Sequence, residues 1–482
     1  MTIGGGTFST MNRVIPGVYY KIKATTTMEI GLIDRGVVAV PLALPWGNAE
    51  EVITLDQEYI HNLAVENPFL IDINSSTLLP IREILVHAKT CYVLPTGGEK
   101  AYCMIGTESP VKVEARKSGS LGNHLHFHFT FYTKNSETIF SLEIFLDSKM
   151  VYGKDSPLTT EEEEDLFFNQ PYLKFPSRSS EETSITNFWK KYANERTESS
   201  FEDPIDHILT KGATYALTME TFNTCCDVLA KSAYEYNVMV TNYYSTNPSE
   251  NIIFYENFEN WLMNEREYKG NLIIGVVYGV NQYNNEYIIN VSCADSSETP
   301  QRDIVFWVAG ATADATAYQS ITNMVYDGEM NYLSSSNNVV LIESALKQGQ
   351  FLFYHQLNQY RVVKDINSLH TITDPTAKNN YFKKNIIVRI VDQVLKESMR
   401  VFSQYYLGKA FNNIINRIFL KNDIVEILRI LESRGCLENV TESDVVVGKG
   451  NTNEEVTLNI TLRPIDVMEI LYVTLVIEDT EG

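Results

Sequence analysis

The stretch "EILYVTLVIE", Glu469 to Glu478, decides how the rest of the chain is read. From Ile470 to Ile477 every residue is apolar or is Thr474, the composition of a strand buried on both faces. Alternation puts Leu471, Val473, Leu475 and Ile477 on one face and Ile470, Tyr472, Thr474 and Val476 on the other, so both faces want cover. A strand so close to the end of a sequence offers free N–H and C=O groups that natural proteins blunt or cover. The expectation is that another chain covers it, by strand addition. The natural counterpart is "GVYYKIK", Gly17 to Lys23, a short strand after an arm rich in Gly, Ser, Thr and Asn. Its candidate pairing residues are Val18, Tyr19, Tyr20 and Ile22.

At 482 residues the chain is too long for one compact core and divides into several domains. A hydrophobic content of 44% with 21% charged residues is that of an ordinary globular protein. The formal charge of −22 argues against nucleic acid or an anionic membrane as the main partner. That charge is unevenly placed, with eleven Lys or Arg against five Asp or Glu between Lys378 and Arg434. Such asymmetry suits docking onto neighbouring molecules, and Lys383, Lys384, Arg389, Arg400, Lys409 and Arg417 are the candidate outward-facing cations. The N-terminus lacks the apolar core of a signal peptide, and runs such as "NLIIGVVYGV" fall short of the ~18 apolar residues of a membrane span. The reading is of a protein made and kept in a cytoplasm. Six cysteines without CxxC spacing read as small buried hydrophobes, not zinc ligands or a disulfide framework.

The fold expected is mixed α/β (α+β) and multidomain, with mixed sheets covered by helices. An arm and linking strand occupy 1–24, a discontinuous central α/β domain 25–100 plus 170–365, and a C-terminal α/β domain 366–482. "GLIDRGVVAVPLALPWGN" reads as a buried strand and turn leading to a helix at "IREILVHAKT". Between them and the second α/β region lies an inserted antiparallel β module, residues 101–169, where "VKVEARKSGSLGNHLHFHFTFYT" and "TIFSLEIFLDSKMV" alternate with period two. The acidic run Glu161 to Leu166 closes it, and a Ser-rich linker follows from Pro176 to Asp203. Phe222, Cys226 and Leu229 share a helix face, while "NLIIGVVYGV" and "NVVLIE" read as buried strands. In "NIIVRIVDQVLKESMRVFSQYYLGK" apolar residues recur at three and four, with Gly408 as the stop. A second helix spans about Phe411 to Arg434, interrupted near Asp423 and capped by Gly435, and two strands, "EVTLNITL" and "EILYVTLVIE", follow around Pro464.

Catalytic signals are weak. In "HLHFHF" His124, His126 and His128 share one strand face, a donor set that suits zinc or copper. Residues two apart on a strand are separated by ~6.5 to 7 Å, however, so the outer pair is too far apart for one ion, and no carboxylate or Cys stands nearby at ligand spacing. "LGKAFNN" lacks the first Gly of a phosphate loop, and "GGGT" precedes no strand-to-helix turn. Asp203, Asp206, His207 and Cys225 form no nucleophile signature, and the Asn290 sequon has no secretory context.

In order along the chain, "GGGTF" to "NRVIPGVYYKI", "GVVAVPLALPWGN", "LTKGA", "WVAGATADATAYQSITNMVYDG", "VVKDINSLHT", "FKKNIIVRIVDQ", "YYLGKAFNN" and "RPIDVMEILYVTLVIE" resemble the tail sheath proteins of contractile phage tails, in the defective-prophage and phage-tail-like bacteriocin branch. The resemblance implies a structural protein, without catalytic residues, cofactor or metal. It implies stacked hexameric rings around a tail tube, linked by terminal arms that exchange strands, which shorten to drive the tube through a cell envelope. The partners implied are further copies of the chain, the tube protein, and baseplate and tail terminator proteins, with no nucleic acid and no membrane. The particle would assemble in a bacterial host cytoplasm. The segment with "ARKSGSLGN" resembles an insertion projecting from the sheath surface. Two rival readings are a metal-dependent enzyme built on His124, His126 and His128, and an adhesin displaying the β module.

Overall fold

A computed structural model of the chain describes residues 4–7, 17–20, 35–58, 68–105, 111–134, 137–157, 169–175, 206–231, 234–279, 283–295, 301–375 and 378–477. The acidic run, the Ser-rich linker and Ile22 lie outside the described residues. In the N-terminal arm, β1 (Gly4–Thr7) pairs in parallel with β2 (Gly17–Tyr20). The Gly-rich part of the arm thus contains a strand, and Val18, Tyr19 and Tyr20 already have a backbone partner in their own arm.

The central unit is built on a seven-stranded sheet. Strands β3 (Val37–Leu42), β5 (Thr90–Pro95), β15 (Val238–Thr241), β16 (Ile274–Tyr278), β17 (Ile288–Val291) and β18 (Gln350–Phe351) run parallel, and β4 (Ile53–Asp56) is an antiparallel edge. The spatial order is β18-β17-β16-β15-β3-β5-β4. Every residue of β15, β16 and β17 is buried, because helices cover both faces. On one face Val38, Val40, Val240 and Val276 pack against α1 (Leu79–Leu85) and α4 (Ile304–Asp314). On the other, Ala39, Met239 and Val277 meet Phe222 of α2 (Met219–Lys231) and Phe254 and Phe258 of α3 (Pro248–Glu267). Helices α1 and α4 approach so closely that a Cβ on Gly310 would lie 2.3 Å from the Ile84 carbonyl oxygen.

"NVVLIE" is not a strand. It opens α5 (Val339–Lys347), because the Asn338 side chain accepts from the backbone N–H of Val340 and Leu341 and so caps a helix. A short apolar run does not by itself separate the two structures. A hairpin of β19 (Phe353–Gln356) and β20 (Gln359–Val362) follows β18.

The inserted module holds two antiparallel sheets. One contains β7 (Tyr102–Ile105), β8 (Val111–Ala115) and β12 (Leu173–Lys174). The other runs β11-β10-β9-β13, with β9 (Leu125–Lys134), β10 (Glu137–Leu146), β11 (Lys149–Pro157) and β13 (His207–Ile208). Leu125, Phe127, Leu142 and Ile144 form its core with Leu173 and Leu209. A two-stranded clip of β6 (Gly98–Glu99) and β14 (Ala213–Thr214) stands where the chain enters and leaves.

In the C-terminal unit α6 (Asn385–Val401) and α7 (Ile414–Ser433) pack on a hairpin of β21 (Val445–Lys449) and β22 (Val456–Ile460). Helix α7 is continuous through Asp423, whose carboxylate accepts the Tyr406 hydroxyl. Gly435 caps it at φ 78°, with the Cys436 N–H bonded back to the Leu431 carbonyl. Buried ion pairs tie α6 to the central unit: Arg266 with Asp392 at 2.5 Å and Arg389 with Asp365 at 2.7 Å.

Candidate functional site

The chain leaves β22 through an isolated bridge between Leu437 and Pro464 and reaches Glu469. There it is held. Lys384 Nζ lies 2.6 Å from the Glu469 carboxylate and 3.0 Å from that of Asp466, Lys364 Nζ lies 3.1 Å from Glu469, and the Thr322 hydroxyl donates to Glu469 at 3.3 Å. Burial alone would lower the Lys384 ammonium, but hydrogen bonds to Glu469 and Asp466 outweigh it and raise its pKa above the ordinary value.

Beyond this clamp the segment Ile470–Ile477 forms no strand among the described residues, and its side chains are exposed. Tyr472 is 90% and Ile477 95% exposed, against a few per cent for the apolar side chains of the cores. Both of its faces, Leu471, Val473, Leu475 and Ile477 on one side and Ile470, Tyr472, Thr474 and Val476 on the other, therefore have no cover among the described residues. A second apolar surface was not singled out from the sequence. At the start of α7, Phe411, Ile414, Ile415, Ile418 and Phe419 are all at least half exposed. The signal was present as apolar residues on the face opposite Leu420, Ile424 and Leu428.

The cations read as outward-facing divide. Arg389 is a correction: its guanidinium is buried, bonded to Asp365 and to the Gln319 carbonyl at 2.6 Å. Lys384 spends its charge on the clamp, and Arg400 on Glu397 at 2.8 Å. Arg417 donates to Asn412, and Lys409 to the Gln404 carbonyl from an exposed position. Lys383 is partly exposed.

The histidines are not isolated from carboxylates. His128 Nε2 lies 3.0 Å from Asp206 Oδ1, His126 Nδ1 contacts the same oxygen, and His124 Nδ1 lies 2.8 Å from Asp147 Oδ1. The sequence showed no such partner because Asp206 is 78 residues from His128. Cys225 sits in the core between α2 and the sheet, its thiol pushed up to about 12 by burial. The Asn290 side chain is also buried, in β17.

Residues 212–368 match the phage tail sheath protein central domain, and residues 377–478 match the phage tail sheath C-terminal domain. The chain belongs to the phage tail sheath family. It is 26% identical to the phage-like element PBSX protein XkdK of Bacillus subtilis (strain 168), over 98% of this chain and 99% of that one. Its fold matches the crystal structure of a sheath tail protein from Desulfitobacterium hafniense at TM-score 0.69 and 23% identity, covering 95% of this chain and 99% of that one. A Listeria innocua sheath tail protein matches at TM-score 0.69 and 22% identity, covering 91% and 94%. The sheath family supplies a structural part of a phage particle. Among the described residues of this sheath protein no helix is long and apolar enough to cross a membrane.

Proposed function

We propose that this sheath protein polymerises as stacked hexameric rings around a tail tube and contracts to drive that tube through a target cell envelope. The observation that carries the reading is the exposed segment Ile470–Ile477, clamped at its root and without a strand partner among the described residues. Pairing it into a neighbour's sheet forms several backbone hydrogen bonds of ~0.5 to 1.5 kcal/mol net each and covers large side chains at ~1.5 to 3 kcal/mol apiece. That gross gain exceeds the ~1 to 2 kcal/mol per residue lost on ordering. The arm strand β2, with Val18, Tyr19 and Tyr20, is the proposed site of addition on the receiving side, joined by Ile22. Lys383, partly exposed, and Lys409, exposed, are proposed to meet acidic surface on the tube or on a neighbouring subunit.

The role proposed is non-enzymatic, in a virion or phage-tail-like particle assembled in the host cytoplasm. Its partners are further copies of the chain, the tube, and baseplate and terminator proteins. Negative-stain electron microscopy of concentrated protein tests this. Long hollow tubes are expected from the full chain, and discrete small oligomers at all concentrations would overturn the reading.

A further inference from the structure

The register of the module sheet brings three metal-ligand side chains to one point. Strand β13 pairs antiparallel with β9, His207 opposite Phe127 and Ile208 opposite His126. Continuing that register sets Asp206 across from His128, and residues directly opposite each other point to the same face. His126, two residues along β9, shares that face. The result is that His126 Nδ1 and His128 Nε2 both aim at one carboxylate oxygen of Asp206, and one ligand atom from each residue lies within 4.8 Å of the others.

We propose that His126, His128 and Asp206 form a binding site for a divalent transition ion of the zinc type. Two imidazoles and one carboxylate are a donor set zinc accepts, at ~2.0 to 2.2 Å from each ligand atom. Tetrahedral geometry then separates ligand atoms by roughly 3.3 Å, so those now as much as 4.8 Å apart need draw in by only about 1.5 Å at most. The outer nitrogen of His126 is already engaged, and that of His128 has a carboxylate nearby. His126 Nε2 donates to the Asp147 carbonyl at 2.6 Å, and His128 Nδ1 faces Glu143 at 4.0 Å. The first of these, a hydrogen bond, fixes the His126 tautomer that leaves Nδ1 free for metal. Phe145 backs both rings, at centroid distances of 5.1 and 5.0 Å. The imidazoles are about one fifth exposed and Asp206 about half, which leaves the fourth position open to water.

His124 is not a ligand in this arrangement, since its imidazole pairs with the Asp147 carboxylate. The spacing argument against one ion on all three histidines therefore stands, and the third ligand comes from the residue just before β13. An ion here would cross-link β9 to β13, chain segments 78 residues apart, and so clasp the inserted module where its chain returns.

The test is a Zn2+ titration of the metal-free full chain by calorimetry, with Co2+ absorption as a second readout of coordination. One equivalent should bind, with the absorption of a four-coordinate ion. Asp206→Asn and His126→Gln should each weaken binding at least tenfold, and His124→Gln should leave it unchanged. Circular dichroism confirms that each variant is folded, and Asp206, being exposed, tolerates the change best. The absence of stoichiometric binding to the wild-type chain would overturn the proposal. So would binding that survives Asp206→Asn or depends on His124.

Discussion

At Glu469 one carboxylate answers two lysines, Lys384 and Lys364, and a threonine hydroxyl. An isolated surface pair of this kind contributes ~0 to 1 kcal/mol, but here the carboxylate is 12% exposed and the network fixes the direction in which the next eight residues leave. Lys384→Ala should therefore leave the melting temperature within a few degrees while lowering assembly yield, as read by sedimentation. The pH dependence has a definite sign. Because the Lys384 pKa is raised in the folded chain, the clamp's contribution is complete below the ordinary lysine value of ~10.4 and is lost as pH climbs through the raised one. Assembly should thus be insensitive to this group between pH 7 and 9, as measured by light scattering. Arg389 predicts the opposite pattern. Removing it by Arg389→Ala strands the buried Asp365 carboxylate and should cost ~3 kcal/mol or more in urea unfolding. A loss under about 0.5 kcal/mol would show the pair to be unimportant to the fold.

At the scale of elements, α1 and α4 show how local chemistry sets the layers. Alanine at position 310 would gain ~1 kcal/mol of helix propensity over glycine, yet its Cβ would stand 2.3 Å from a backbone oxygen that no rotamer change can move. The steric term wins, and Gly310→Ala should destabilise the central unit by a net ~1 to 3 kcal/mol, measured by thermal or urea unfolding. The buried strands β3 and β16 and the helix α6 were legible in the sequence, because β-branched apolar runs bounded by Gly or Pro favour strands and a three-and-four repeat marks a helix face. The helix α5 was not legible as such, since "VVLI" fits a strand equally well until Asn338 is recognised as a cap. Nor was β21, whose "VVVGK" alternates too briefly to stand out without its partner β22. Asp206 was not read as a partner of the histidines, and Arg389 was read as outward-facing, for a shared reason. Their decisive neighbours, His128 and Asp365, come from other elements, and sequence spacing carries no information about which elements will meet.

For the whole molecule the question is where the uncovered apolar surface goes. Among the described residues the cores are closed without Ile470–Ile477, since none of its residues belongs to a core cluster and the bonds that hold the chain end at Glu469. A chain truncated after Glu469 should consequently fold with unchanged circular dichroism and remain monomeric in sedimentation, while the full chain polymerises. Strand addition rests mainly on backbone bonds and apolar burial, so raising salt from 0.15 to 1 M, which shortens the screening length from ~8 to ~3 Å, should not dissolve the polymer. An interface driven by the basic residues between Lys378 and Arg434 should weaken under that change. Truncated chain that still makes tubes would show that assembly runs through other surfaces, of which the exposed start of α7 is the first to replace. Truncated chain that fails to fold would show that the segment pairs inside its own subunit.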